Sequence, residues 1–193
     1  MMKHLFVAAA LAALASCGGG GSGQAPRLLD DACAILDQRA GYLSAFRATE
    51  RKWGVPVHVQ MATIHQESKF ISDARTPLRY ALGVIPVGRQ SSAFGYSQAL
   101  DGTWKEYLVE QGRLRARRDR IRDATDFMGW YMTQTRDELG IPLSNARHQY
   151  LAYHDGRNGY RRGTWKRKGW LIAVSGRVEQ RAEMYRQQLQ RCS

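Results

Sequence analysis

The sequence predicts an all-α domain that begins near Leu28. Apolar residues recur at helical spacing through most of the chain after this point, and no alternating apolar and polar runs are joined by tight turns. Gly54 and Pro56 suit a helix end followed by a helix start, because glycine readily ends helices and proline fits the first turn. The length of this part is that of one domain.

The helices follow from the same spacing. We expect helices over residues 28–53, 57–67, 102–111, 119–139, 145–153 and 171–189. Asp101 is a suitable N-cap for the third of them, because its carboxylate can accept hydrogen bonds from free backbone N–H groups. Residues 72–93 contain prolines and glycines and little periodicity, which predicts an irregular cleft wall or lid.

The first residues predict export and a lipid anchor. Lys3 precedes an apolar run over Leu5–Leu14, which is typical of a secretory signal and too short to span a bilayer. Leu14–Cys17 resembles the lipobox of bacterial lipoproteins, which implies lipidation of the cysteine. Gly18 follows in place of Asp, and this implies an outer-membrane lipoprotein that faces the periplasm. The alternative is an ordinary signal peptide with an incidental cysteine.

The chain therefore divides into a signal peptide over residues 1–16, a lipidated cysteine with a glycine-rich tether over residues 17–27, and one folded domain over residues 28–193. The formal net charge is +12, which favours a polyanionic partner. Export excludes most contact with nucleic acid. Peptidoglycan carboxylates and lipid phosphates are the polyanions that remain.

The cysteine count predicts one disulfide. With Cys17 acylated, Cys33 and Cys192 remain, near the two ends of the folded domain. A bond between them in an oxidising periplasm would close a long loop and stabilise the fold by about 2–4 kcal/mol. Two free buried thiols are the alternative.

Three short segments point to glycan cleavage. Glu67 follows an apolar helical run, so apolar neighbours can raise the pKa of its carboxyl group at the floor of a cleft. Gly95–Ala99 offers polar groups for a sugar, and Ala152–Gly156 offers the phenol of Tyr153 to orient the acid. A carboxyl group with these neighbours can deliver a proton to a glycosidic oxygen.

A single carboxyl group suffices only for certain sugars. Most glycoside hydrolases use two carboxylates, and Asp73 or Asp101 could supply a second one here. N-acetylmuramic acid needs no second carboxylate, because its acetamido group can stabilise the anomeric carbon and its 6-hydroxyl can attack that carbon. Glu67 would then act first as acid and afterwards as base.

The order of these segments resembles the soluble lytic transglycosylase family. Ile64–Ser68 matches its Glu-Ser pair, Gly95–Ala99 its Gly-Leu-Met-Gln segment, and Ala152–Gly156 its Ala-Tyr-Asn-Ala-Gly segment. The resemblance implies a lysozyme-like helical fold and cleavage between N-acetylmuramic acid and N-acetylglucosamine that leaves 1,6-anhydromuramoyl ends. It implies no metal or organic cofactor, and we expect a monomer.

The resemblance also implies roles for individual residues. Glu67 matches the catalytic acid/base, and Ser68 matches the serine beside it. Gln98 matches the glutamine that contacts the glycan, and Tyr153 matches the tyrosine whose hydroxyl approaches the catalytic carboxyl.

Two of the three segments depart from the family pattern. Tyr96 and Ser97 replace the usual Leu-Met pair, and His154 and Asp155 replace Asn-Ala. We expect Tyr96 and His154 to contact substrate, with altered chemistry on the cleft wall.

Other chemistries are poorly supported. His65, His148 and His154 lack HExxH-like spacing, which disfavours a metal site. Ser97 lacks the GxSxG turn of a serine hydrolase. Two alternatives to the transglycosylase stay open, namely a hydrolytic muramidase on the same scaffold and a non-catalytic peptidoglycan-binding lipoprotein.

Overall fold

A computed structural model describes residues 23–192, and this part of the chain is mainly helical. The α-helices are Ala32–Gln38 (α1), Tyr42–Trp53 (α2), Val57–Ser68 (α3), Asp101–Glu110 (α4), Ile121–Leu139 (α5), Ala146–Asp155 (α6), Arg157–Arg161 (α7) and Gly169–Cys192 (α8). A 3-10 turn covers Thr164–Arg167, and the strands Leu78–Ala81 (β1) and Ile85–Arg89 (β2) form an antiparallel pair. None of these helices is long and apolar enough to cross a membrane.

The predominance of helices confirms the predicted fold class. The predicted signal peptide, residues 1–16, and Cys17 lie outside the described residues. The last residues of the predicted tether lie against the domain, because Arg39 donates a hydrogen bond to the Gln24 carbonyl (2.6 Å) and Arg27 N–H donates to the Gln38 side chain (2.9 Å).

The single helix predicted over residues 28–53 is wrong. Asp31 caps α1 by accepting from Ala34 N–H (3.0 Å), and α1 ends at Gln38. Gly41 then adopts a left-handed conformation (φ 87°) and precedes α2. A residue in the left-handed conformation cannot continue an α-helix, so the helix breaks at Gly41. The apolar spacing continues across this break, and the glycine is the one feature of the sequence that indicates it.

The core forms where α2 packs on α5. Gly129 makes the close approach possible, because a Cβ atom there would lie 2.3 Å from the Trp53 ring. Asp126 joins these helices to α4 by accepting from Trp53 Nε1 (2.8 Å), Lys52 Nζ (3.0 Å) and the Tyr107 hydroxyl (2.6 Å). The pKa of Asp126 is lowered, since these hydrogen bonds outweigh the effect of its burial.

The C-terminal helix α8 packs against α3 and α6 and returns to the start of the domain. There the disulfide Cys33–Cys192 joins it to α1, with the two Cα atoms 5.6 Å apart and 159 residues apart in sequence. The pair is the one expected from the cysteine count.

Two further expectations differ from the structure. Residues 72–93 contain the β1–β2 hairpin rather than irregular chain, and its side chains are exposed on both strands. A sheet with no buried face shows no apolar alternation, which is why periodicity missed it. Asp101 is the first residue of α4 rather than its cap, and its carboxylate pairs with Arg118 (2.7 Å).

Candidate active site

Glu67 lies in the last turn of α3, a helix whose side chains are almost all buried. The helix ends directly afterwards, because Lys69 and Phe70 both take left-handed conformations (φ 53° and 61°). Such a pair of residues turns the chain sharply away from the helix axis. The Glu67 side chain is therefore held half-buried at the end of a rigid, buried element.

The pKa of Glu67 is raised to about 7, chiefly by burial. A hydrogen bond from Tyr150 and the positive charge of Lys69 act in the opposite direction and lower this pKa. A carboxyl group with this pKa holds its proton in about half of the molecules at neutral pH. Among residues 23–192, no other carboxylate contributes to the shift in the pKa of Glu67. Glu67 has the acidity that a general acid requires near neutral pH.

Tyr150, buried on α6, is the tyrosine that donates a hydrogen bond to Glu67. The Tyr153 hydroxyl donates instead to the Ser97 carbonyl (2.7 Å). Tyr153 nevertheless lies near the acid, because the Glu67 charge contributes to raising its pKa, after burial. Sequence reasoning missed Tyr150, although its position three residues before Tyr153 puts both on one face of α6.

The loop Gly95–Ala99 is fixed by its own backbone. Gly95 is left-handed (φ 78°), and a Cβ atom on it would lie 2.2 Å from the Arg118 carbonyl oxygen, so only glycine fits. Gln98 donates from its side-chain amide to the carbonyls of Ala74 (2.9 Å) and Gly95 (2.8 Å). The amide nitrogen of Gln98 thus holds the loop in place.

A cavity of about 270 Å³ opens beside this loop. It is lined by Gln98, Ala99, Leu100, Thr103, Phe127, Tyr131, Tyr153, His154, Asp155 and Gly156. Three of the predicted substrate residues, Gln98, Tyr153 and His154, are therefore brought together. Glu67 does not line the cavity. Tyr153 connects the two, because it lines the cavity and lies near Glu67. No residue of the segment 72–93 lines this cavity, and the cleft wall or lid expected there stays a prediction.

Two predicted contact residues lie in the core instead. Tyr96 is only 4% exposed, and its hydroxyl accepts from the Tyr42 hydroxyl (2.9 Å). The buried Ser68 hydroxyl donates to the Ile64 carbonyl (3.3 Å) within α3. Both side chains are almost fully buried, and the substrate contacts expected of them stay predictions.

His154 and Asp155 differ in role although they are neighbours. His154 is exposed, and its ring meets the exposed Trp170 edge-on, with centroids 5.0 Å apart. Loss of solvent around part of the ring, together with the Lys168 charge, lowers the pKa of His154. Asp155 accepts from Thr164 and pairs with Lys168, and it thereby ties α6 to the 3-10 turn.

Metal chemistry has no visible support in this part of the molecule. Within residues 23–192, no group of three or more His, Cys, Asp or Glu side chains is arranged to hold a metal ion. His65 is buried with its pKa lowered to about 3, chiefly by that burial, and its Nδ1 lies 3.3 Å from Lys69 Nζ. This histidine therefore orients the lysine beside Glu67.

Comparison with known families agrees with this geometry. The family model of the transglycosylase SLT domain matches residues 5–192 of the sequence. The chain belongs to the transglycosylase SLT domain family. Members of this family are peptidoglycan-acting proteins of the lytic transglycosylase type, with a lysozyme-like helical domain. Comparison with curated proteins gives no significant match.

Proposed function

We propose that the protein is a peptidoglycan lytic transglycosylase with Glu67 as its single acid/base. It cleaves the bond between N-acetylmuramic acid and N-acetylglucosamine and leaves a 1,6-anhydromuramoyl end. The observation that carries the proposal is the pKa of about 7 at Glu67, raised by burial, with no carboxylate among the groups that shift it. A lone acid of this strength can both donate and take back a proton at neutral pH.

The chemistry proceeds in two proton transfers. Protonated Glu67 gives its proton to the glycosidic oxygen, and the bond from that oxygen to the anomeric carbon of N-acetylmuramic acid breaks. The acetamido group of the same sugar stabilises the positive charge at this carbon. The Glu67 carboxylate then accepts the proton of the 6-hydroxyl, whose oxygen bonds to the anomeric carbon. The acid is restored, and no water is consumed.

Tyr150 and Lys69 set the balance between these two roles. Both lower the pKa of Glu67, against burial, which raises it. Burial alone would leave a carboxyl group that keeps its proton too firmly to act as acid. The pair brings the pKa close to neutral pH, where one group can serve in both steps.

We propose that part of the glycan occupies the cavity beside the Gly95–Ala99 loop and that the strand continues past Tyr153 to Glu67. Gln98 and His154 offer polar atoms, and Tyr131, which is mostly buried, offers a ring edge. The net charge of +12 favours the carboxylates of the stem peptides. We propose no cofactor.

We also propose that the protein works in the periplasm on a lipid anchor at Cys17, at the outer membrane. The lipobox-like Leu14–Cys17 and the glycine-rich residues 18–23 support this location. The Cys33–Cys192 disulfide suits it as well, because such bonds persist in oxidising compartments. The monomeric state stays a prediction.

Mass spectrometry of digested sacculi tests the proposal. We expect wild-type protein to release anhydromuramoyl fragments and Glu67→Gln to release none. Reducing-end fragments would favour the muramidase, which uses water in place of the 6-hydroxyl. Pelleting with sacculi but no cleavage by wild-type protein would favour a peptidoglycan-binding lipoprotein.

A further inference from the structure

The hairpin formed by β1 and β2, Leu78–Arg89, is the most apolar exposed feature of the described residues. Six large apolar side chains on it face solvent, and these are Leu78, Tyr80, Leu82, Val84, Ile85 and Val87. Leu82 and Val84, both in the turn between the strands, are 91% and 75% exposed. A two-stranded hairpin with no covered face is marginal in water, and contiguous exposed apolar side chains commonly mark a binding surface.

The charges around the hairpin are of one sign. Its tip, Tyr80–Val87, contains no charged residue. Arg79 precedes it directly, and Arg89 follows it after Gly88. No acidic residue occurs anywhere from 74 to 100. An apolar tip with a basic collar is complementary to an anionic lipid surface, where acyl chains lie beneath phosphate groups.

The path of the chain brings the same hairpin toward the membrane. Gly23, where the described residues begin, lies against Asp73, since a Cβ atom on this glycine would be 3.2 Å from Asp73 Oδ1. Arg75 pairs with Phe94 just beyond and closes the base of the hairpin. Cys17 is six residues before Gly23, and six residues reach at most about 20 Å. The distance argument depends on the lipid anchor proposed above, whereas the argument from the composition of the tip does not.

We propose that the tip of the hairpin, Tyr80–Val87, inserts into the surface of an anionic phospholipid bilayer and forms a second contact with the membrane beside the lipid anchor. The hairpin would fix which side of the domain faces the bilayer. A tether alone leaves that orientation free.

Two other occupants fit the hairpin less well. A second copy could pair with its open strand edges, but the arginines of the two copies would then repel each other. A glycan would need aromatic rings or hydrogen-bonding groups, whereas Tyr80 is the one aromatic side chain of the tip, beside the aliphatic Leu82, Val84 and Ile85. Aliphatic side chains with arginine neighbours are better matched by lipid.

Vesicle sedimentation tests the proposal without the lipid anchor. The protein is the chain from residue 17 onward with Cys17→Ser, so that no lipid is attached. The vesicles contain phosphatidylethanolamine and phosphatidylglycerol, and a second set contains phosphatidylcholine alone. We expect the protein to bind the anionic vesicles, and we expect the variant Leu82→Glu with Val84→Glu to bind at least about tenfold less.

A matched variant provides the control. Val109→Glu with Leu114→Glu makes the same change in net charge at side chains that are 64% and 73% exposed elsewhere. Leu114 lies among arginines, so this variant also tests the basic loop as an alternative lipid surface. We expect its binding to stay within about twofold of the unsubstituted protein.

Each other outcome overturns the proposal. Absence of binding to anionic vesicles would do so, as would equal losses in the two variants, because the general positive charge would then account for the binding. Sedimentation of the protein alone as a dimer that Leu82→Glu with Val84→Glu disrupts would assign the hairpin to a second copy. Reduced pelleting with sacculi in that variant, with vesicle binding unchanged, would assign it to the glycan.

The result is separable from the proposed enzyme activity. The hairpin variant should cleave solubilised glycan strands at a rate within about twofold of the unsubstituted protein, since Leu82 and Val84 line no part of the cavity. Loss of anhydro products in both proteins would count against the proposed function and leave the vesicle result intact.

Discussion

Glu67 and the hairpin Leu78–Arg89 are opposite departures from the usual distribution of residues in a folded protein. At Glu67 an ionisable group is held half-buried at the end of a buried helix, and desolvation raises its pKa to about 7. At the hairpin, apolar side chains are kept in water. Each placement destabilises the isolated domain.

The two regions differ in how they are supported. Tyr150 and Lys69 are partners of Glu67 from the same chain, and both lower its pKa. The tip of the hairpin has apolar side chains and no cover among the described residues. A buried polar group with its own partners indicates a reactive site, whereas an uncovered apolar surface indicates something outside the molecule.

The largest effect we expect is the loss of activity in Glu67→Gln. The amide cannot donate or accept the proton, so turnover of sacculi should fall by at least about a thousandfold. Release of soluble muropeptides measures it. Glu179→Gln, at an exposed residue of α8, is the control and should keep wild-type turnover. Measurable cleavage by Glu67→Gln would move the acid to another residue.

The next prediction compares the truncation of leucine to alanine in the buried core and in the exposed hairpin. Leu151→Ala, at a fully buried residue of α6, should lower the free energy of unfolding by about 2–5 kcal/mol, because it leaves a cavity. Leu82→Ala in the hairpin turn should change it by less than about 0.5 kcal/mol. Urea unfolding of both variants with the disulfide intact measures the difference. A large loss in Leu82→Ala would show that the hairpin is packed within the molecule.

A smaller effect concerns stability against pH. The folded-state pKa of Glu67 lies above its unfolded value of 4.5, so the contribution of its proton to stability is complete below about pH 4.5 and is lost as the pH rises through about 7. Glu67→Gln removes this loss. The variant should therefore be more stable than wild type by about 3 kcal/mol near pH 8 and nearly equal to it near pH 4. Equal stability of the two proteins at both pH values would contradict the raised pKa.

The smallest effect is a shift in the pH profile. Catalysis starts from protonated Glu67, so kcat/KM should fall as the pH rises through about 7. Tyr150→Phe removes a hydrogen bond that lowers this pKa, and the fall should move upward by roughly half to one pH unit. Tyr153→Phe, whose hydroxyl bonds to the Ser97 carbonyl, should leave the position of the fall unchanged. A shift in Tyr153→Phe alone would exchange the roles of the two tyrosines.

The sequence was sufficient where a residue's environment follows from its own helix. Glu67 ends an apolar helical run, and the structure has it at the end of α3. The pair Cys33 and Cys192 followed from the count of cysteines in an exported chain. The all-α class followed from periodicity that most of the chain shares.

The features that the sequence could not predict depend mostly on contacts between residues that are far apart in the chain. Tyr96 belongs to a sugar-contacting motif by position, but the ring of Tyr42 from a distant helix covers it. Tyr150 gained its role because α6 lies beside the end of α3. The hairpin was missed because neither of its faces is buried, and helical spacing continued across the break at Gly41.

The most direct test of the central claim is digestion of sacculi in water labelled with a heavy oxygen isotope. The 6-hydroxyl of N-acetylmuramic acid attacks the anomeric carbon in our account, so the products should carry anhydro ends and no heavy oxygen. Incorporation of one heavy oxygen at each new muramoyl end would contradict the account, because water would then be the nucleophile and the protein a muramidase.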